Sequence, residues 1–268
     1  MTTIPPLLLV GCGRMGRAML AGWREHGLAR SAAVDPAPEA AALAGPDLAV
    51  YAEAGLVPAG FRPSAVVLAV KPQLAAACVP AFGRFAGSAV FLSIMAGQTI
   101  GGLSGLLGPA AAIVRAMPNT PAAVRRGISV ACAGRNVTGE QHALCETLLR
   151  SVGEVAWVED EDLLDAVTAV SGSGPAYVFL LVELLERAAV RQGVPPALAQ
   201  SLARQTVIGS GALLAASADP AAELRRGVTS PGGTTERALA VLMAEAAWPA
   251  AVDEAVAAAT ARSRELAR

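Results

Sequence analysis

The chain has 268 residues, room for about two domains at roughly 150 residues each. With 54% hydrophobic and 16% charged residues it is not a mainly disordered chain. A net charge of -1 and 4% aromatics exclude a broad basic nucleic-acid surface and a base-stacking platform. Leu7-Leu8-Leu9-Val10 reads as a buried strand ending at Gly11, and 15–25 as a helix. Further strands are predicted over 32–34, 65–70, 89–94, 111–115, 128–132 and 155–158, with a helix over 140–150 between the last two. Apolar strands alternating with helices predict a largely parallel sheet covered on both faces.

The pattern changes after Val158. The acidic run Glu159-Asp160-Glu161-Asp162 suits a helix start, as a solvated cap, and helices are predicted over 161–170, 175–192, 196–217, 232–246 and 249–266. Breaks are expected at Gly172/Gly174/Pro175, Gly193/Pro195, Asp219/Pro220, Pro231–Gly233 and Pro249. The fold class is therefore an α/β domain of dinucleotide-binding type, residues 1–159, followed by an all-α domain, residues 160–268. No apolar run of 18 residues free of charge and breakers occurs, so no membrane span is expected. Leu9-Val10-Gly11-Cys12 looks like a lipoprotein cleavage site, but no basic residue precedes it and Pro5-Pro6 interrupts the apolar stretch. Cys12, Cys78, Cys132 and Cys145 form no C-x-x-C pair, so a reduced, cytoplasmic chain without a metal site is expected. His26 and His142 read as surface or packing residues.

Gly11-Cys12-Gly13-Arg14-Met15-Gly16 is a G-x-G-x-x-G between a predicted strand and a predicted helix, the context that dinucleotide binding requires. Its glycines permit a tight turn and bring backbone N–H groups and the helix N-terminus to a pyrophosphate. Arg14 fits either a charge beside the phosphates or an exposed side chain. Asp35 ends the second strand, where a carboxylate accepts from a ribose 2′-hydroxyl and repels a 2′-phosphate, favouring NADH; Asp-Pro is also an ordinary strand stop. Lys71-Pro72, Met95-Ala96-Gly97 and Met117-Pro118-Asn119-Thr120 follow the next three strands, at the ligand-binding edge of such sheets. Lys71 is the sole lysine. Val228–Thr235 combines hydroxyls with a Pro-Gly-Gly turn at a predicted helix start, which suits a carboxylate site or a capped interhelical turn.

GCGRMG (11–16), AVKP (69–72), RAMPNTPAAVRRG (115–127), DAVTAVSGSGPAYVF (165–179) and VTSPGGTT (228–235) occur in the order found in pyrroline-5-carboxylate reductases, which the chain resembles over nearly its whole length. The resemblance implies reduction of 1-pyrroline-5-carboxylate to L-proline by NAD(P)H, in a Rossmann domain followed by a helical domain that forms homodimers, often assembled into decamers. It implies cofactor contacts at Val10, Gly11, Cys12, Gly13, Arg14, Met15 and Gly16, at Ala69, Val70, Lys71 and Pro72, at Ile94, Met95 and Ala96, and at Asn119. It places the substrate carboxylate on Ser230, Gly232 and the N–H groups of Gly233 and Thr234. Thr235 would bond the ring nitrogen, and Glu161 matches an acidic residue near the substrate. The family's usual cofactor is NADPH, and Ser or Asn is common where this chain has Asp35. Two other readings are an NAD(H)-binding sensor without turnover and a 3-hydroxyacid dehydrogenase-like enzyme. The second typically uses a lysine in the helical domain, which this chain lacks.

Overall fold

Short apolar runs bounded by turns build the centre of the molecule. In the computed structural model, which describes residues 3–267, they form one eight-stranded sheet. Its strands are β1 (Leu7–Val10), β2 (Ser31–Val34), β3 (Leu48–Tyr51), β4 (Ala65–Leu68), β5 (Val90–Ser93), β6 (Ala112–Met117), β7 (Gly127–Ala133) and β8 (Gly153–Val158). The order is β3-β2-β1-β4-β5-β6-β7-β8, and only the β6–β7 pair is antiparallel. The strand order reverses between β1 and β4, the point where open α/β sheets bind ligands.

Period-two alternation assigns each central side chain to a face. Leu7, Leu9, Val67, Leu92 and Val114 pack against Met19, Leu20 and Trp23 of α1 (Arg14–Glu25) and Leu148 and Leu149 of α4 (Gly139–Arg150). Trp23 Nε1 donates to the Leu148 carbonyl at 3.0 Å, so that layer leaves the indole satisfied. Leu8, Val10, Val66, Leu68, Phe91 and Ile113 pack on the other face. Their partners there are the short helices at 72–85, which include α2 (Ala75–Cys78), and α3 (Ile100–Leu107). Both faces are covered, which is why β1 and β4 are apolar at every position.

Three elements go beyond the sequence reading. β3 (Leu-Ala-Val-Tyr) is a half-exposed edge strand of four residues, apolar but too short to stand out. α3 carries Gly101, Gly102 and Gly105, each poor for helix, and is secured by Thr99, whose side chain accepts from the Gly102 N–H at 3.0 Å. α8 (Ala221–Gly227) is a two-turn helix in what was expected to be a connection.

The break expected at Gly172/Gly174/Pro175 falls at Ser173, where one helical run ends and the next begins. α5 (Leu163–Val167) continues as a π turn (Thr168–Gly172), and α6 (Gly174–Arg191) starts after Ser173 with Pro175 in its first turn, where its missing N–H costs nothing. The result is a 29-residue helical stretch, Leu163–Arg191, long and apolar enough by composition to cross a membrane. It contains Asp165, Gly172, Gly174, Pro175 and Glu183, so it is not an apolar run free of charge and breakers.

α7 (Pro196–Ala216), α9 (Thr234–Leu242) and α10 (Trp248–Leu266) complete the chain. Strand structure ends at Val158, as the change of pattern implies, but the chain divides into compact units at a different place. One unit runs to Gly172 and takes in the chain end from Ala259; the other is Ser173–Ala258. Ser263 explains the return: its hydroxyl donates to the buried Asp165 carboxylate at 2.6 Å.

Candidate active site

The turn after β1 shows why each of its glycines is glycine. Gly11 has φ +95°, and a Cβ there would lie 2.7 Å from the Ala69 carbonyl oxygen. A Cβ on Gly16 would collide with the Gly11 carbonyl oxygen. A Cβ on Gly13 would meet nothing within 4 Å. The first and third glycines therefore serve the protein's own packing, and the second keeps open space beside the helix start. α1 begins at Arg14 with no side-chain cap and no acidic residue in its first turn, leaving its N–H groups and positive dipole end for an anion.

A cavity of about 540 Å³ opens from this turn. Its walls include Val10, Gly11, Gly13, Asp35, Ala69, Val70 and Lys71 among the residues expected at a cofactor, along with Glu53, Leu74, Cys78 and Phe82, which were not. Asp35 stitches the turn to β2. Its Oδ2 accepts from the Cys12 N–H at 2.5 Å and its Oδ1 from the Ala37 N–H at 2.8 Å. Cys12 is buried, and that burial, reinforced by the Asp35 charge, pushes its thiol up to about 11. It is a protonated packing group at neutral pH rather than a nucleophile. Arg14 and Arg17 are both exposed, and Arg17 donates Nε to the Cys12 carbonyl at 2.8 Å. Pro72 opens the short helix after Lys71, while Met15 packs against the α1-side core.

Ile94, Met95 and Ala96 follow β5, with Met95 buried beneath the loop. The next residue, Gly97, has φ +70° and lies against the backbone of Leu266, where a Cβ would sit 2.7 Å from the carbonyl oxygen. Asn119 is a brace: its Nδ2 donates to the Ser171 carbonyl at 3.2 Å and its Oδ1 accepts from the Ile128 N–H at 2.9 Å. Met117 packs beside Gly172, so the Met-Pro-Asn loop and the Ser-Gly-Ser-Gly segment meet. Glu161 is held within its own unit. Its Oε1 accepts from Arg115 Nη1 at 2.9 Å and from the Ile100 N–H at 2.8 Å. His142 stacks on Trp157 at 3.6 Å between ring centroids, and the ring nitrogen of His26 meets the Gly22 carbonyl at 2.8 Å. Neither histidine lines the cavity.

The Ser-Pro-Gly-Gly-Thr-Thr loop lies in the helical unit and is a type II turn. Pro231 holds the second position, and Gly232 takes the third with φ +72°. The Gly233 N–H closes the turn on the Ser230 carbonyl at 3.0 Å. That N–H, expected at a carboxylate, is thus already engaged. The Glu236 carboxylate takes the Gly232 N–H at 2.9 Å. α9 then starts at Thr234 without a side-chain cap, so the N–H groups of Thr234 and Thr235 point out of a helix end. Among the described residues, the hydroxyls of Ser230 and Thr235 make no hydrogen bond within the chain. The second position of the turn demands Pro and the third a left-handed residue, which the letters Pro-Gly-Gly signalled in advance.

Comparison with known proteins accounts for both halves. Residues 161–266 match the family described as pyrroline-5-carboxylate reductase dimerisation. This segment contains the long apolar helix, whose Phe179, Leu180 and Leu184 are exposed in the single chain, so homo-oligomerisation explains a surface that otherwise looks membrane-compatible. The solved structure of the Coxiella burnetii pyrroline-5-carboxylate reductase superposes with TM-score 0.90 at 31% identity, covering 99% of each chain. That of the Plasmodium falciparum enzyme, with NADP bound, gives 0.82 at 29% identity over 98% of this chain and all of that one. The pyrroline-5-carboxylate reductase of Pseudomonas aeruginosa is 38% identical over 266 residues, 98% of this chain and 97% of its own. With likeness of that degree over the full length, and a glycine turn whose Gly13 leaves room for a pyrophosphate, the chain belongs to the pyrroline-5-carboxylate reductase family.

Proposed function

We infer that this chain reduces 1-pyrroline-5-carboxylate to L-proline, the last step of proline biosynthesis, in an α/β domain that holds NAD(P)H and a helical domain that holds the substrate and pairs with a second copy. The observation that carries this reading is an intact glycine turn together with an uncapped Ser-Pro-Gly-Gly-Thr-Thr helix start, in a chain similar to such reductases from end to end.

The bound reduced nicotinamide supplies a hydride to the imine carbon. The chain's own groups do the rest. The N–H groups at the start of α1 and the turn 10–16 face the pyrophosphate, residues 69–72 and 94–96 line the path along the sheet edge, and Asn119 braces the loop after β6. Ser230 Oγ and the N–H groups of Thr234 and Thr235 hold the substrate carboxylate at the positive end of α9. Gly232 and Gly233 shape the loop instead of donating to the substrate. Thr235 Oγ1 orients the ring nitrogen. With the imine nitrogen already protonated, the hydride's electron pair forms the new C–H bond and the C=N π pair becomes the nitrogen lone pair, so the step requires no strong acid. Most of the acceleration comes from fixing the imine carbon at reacting distance. The Glu161 carboxylate, bonded to Arg115 and the Ile100 N–H, ties β6 to the start of α3 and so acts on the substrate side only through the framework. Asp35 turns the choice of cofactor towards NADH, in contrast with the NADP held by the Plasmodium structure. A cytoplasmic location, and assembly beyond dimers up to decamers, go with the same reading.

Steady-state oxidation of NADH by pyrroline-5-carboxylate tests it. Ser230→Ala is expected to raise KM for the imino acid about tenfold, the loss of one hydrogen bond to a charged group. Thr235→Ala is expected to lower kcat with NADH affinity retained. Cofactor binding with no substrate-dependent oxidation in the unaltered protein would instead favour a nucleotide sensor.

A further inference from the structure

The wall of the cofactor cavity beyond Asp35 carries a second carboxylate. Glu53 lies two residues past the end of β3, as Asp35 lies one past the end of β2. Parallel pairing sets Val34 beside Tyr51, and the Asp35 N–H donates to the Tyr51 carbonyl at 3.0 Å. The two strand ends are therefore clamped side by side, and both acids line the same cavity. Asp35 is committed to the Cys12 and Ala37 N–H groups. Glu53 is exposed, and among the described residues its carboxylate makes no hydrogen bond.

Among the described residues, no arginine lines the cavity. Between Asp35 and Lys71 the sequence contains one basic residue, Arg62. Its Nη1 is taken up by the carbonyls of Ala59 and Phe61 at 2.6 and 3.0 Å, and it does not line the cavity. Lys71 does line it but follows β4. In the order β3-β2-β1-β4 that is two strands from β2 and three from β3, about 10 and 14 Å at the usual strand spacing. Lys71 thus serves the pyrophosphate end, and the ribose end is acidic.

We propose that Glu53 is a second determinant of cofactor specificity, acting with Asp35 to reject a ribose 2′-phosphate, so that the groove selects NADH. The proposal rests on the reading of this cavity as the cofactor site and of Asp35 as favouring NADH. The division of labour follows from the hydrogen bonds. Asp35 also braces the glycine turn, so replacing it disturbs both cofactors. Glu53 braces nothing, so its charge can be removed without moving the turn. Like charges across an exposed cleft repel modestly and are screened by salt.

The test is equilibrium binding without turnover, by calorimetry, of adenosine 5′-monophosphate against adenosine 2′,5′-bisphosphate and of NADH against NADPH. The proteins are the unaltered chain, Glu53→Gln and Asp35→Ser, each checked for an unchanged melting transition. The unaltered chain is expected to prefer the ligands without the 2′-phosphate. Glu53→Gln is expected to narrow that preference about three- to tenfold at low salt, and less at high salt. If the preference exists and falls with Asp35→Ser but stays within twofold in Glu53→Gln, the role of Glu53 is overturned and that of Asp35 stands. If the unaltered chain prefers the 2′-phosphorylated ligands, the NADH reading falls and the proposal with it.

Discussion

Glycine at three positions of one turn does two different jobs, and substitution separates them. Gly13→Ala adds a methyl group to open space, so folding stability is expected to hold while NADH affinity drops at least about tenfold, roughly 1.4 kcal/mol. Gly16→Ala drives a methyl group into the Gly11 carbonyl, so it is expected to lower stability by roughly 1–3 kcal/mol, the range for overpacking. Thermal melts of the cofactor-free proteins, paired with NADH titrations, read both effects. A stable Gly16→Ala would show that α1 slides along the sheet easily. Cys12 sits between these glycines, and its raised thiol pKa fits a turn residue chosen for size.

At the level of elements, side-chain ties hold α1 against its neighbours. Arg24 near its end donates Nε to Asp47 Oδ2 at 2.7 Å and Nη2 to Oδ1 at 3.0 Å, anchoring the helix just before β3. Nη2 also reaches the Leu43 carbonyl at 2.7 Å. The hydrogen bonds from Arg24 hold the Asp47 carboxyl below its ordinary value of 3.8. A depressed carboxyl stabilises the fold above its unfolded pKa and loses that contribution as pH falls through the folded value. Asp47→Asn is therefore expected to lower stability by up to about 1 kcal/mol near neutral pH, given the partial exposure of the pair. The difference should vanish in acid below both values. Urea midpoints measured across that range check this, and a constant difference would assign the effect to packing. Arg125, in the left-handed region at φ +60°, makes a comparable two-pronged tie to Glu25 from the loop before β7.

For the whole molecule, the helical unit leaves in the single chain a surface that water does not favour. Phe179 is 62% and Leu213 66% exposed, and the long helix through Leu163–Arg191 has almost none of its apolar window covered. Pairing with a second copy buries such side chains at roughly 1.5–3 kcal/mol each. Leu184→Glu is expected to shift sedimentation towards monomer and to cut turnover, with helix content kept. An unchanged sedimentation coefficient would place the interface on another face.

Sequence alone determined much of this protein. Runs such as Leu7–Val10 and Val66–Leu68 are buried on both sides, so their composition gives their place in a parallel sheet directly. The glycine turn and the Pro-Gly-Gly loop are legible because φ beyond zero and close backbone approach leave glycine as nearly the sole choice. β3 was passed over although Leu48–Tyr51 is apolar, because four residues without a turn signal directly after them are ambiguous between strand and loop, and Glu53 beyond its end was missed with it. The cluster Gly172–Pro175 marks the helix boundary at Ser173, since Gly and Pro both favour helix ends; the π turn before it had no signal in the sequence. The fates of Glu161 and Asn119 were decided by tertiary structure. Both are polar residues in plausible ligand positions, and their partners Arg115, Ile100, Ser171 and Ile128 are strands and loops away in sequence. Residue type and spacing report what a side chain is able to bond; folding brings up the partner that takes the bond first.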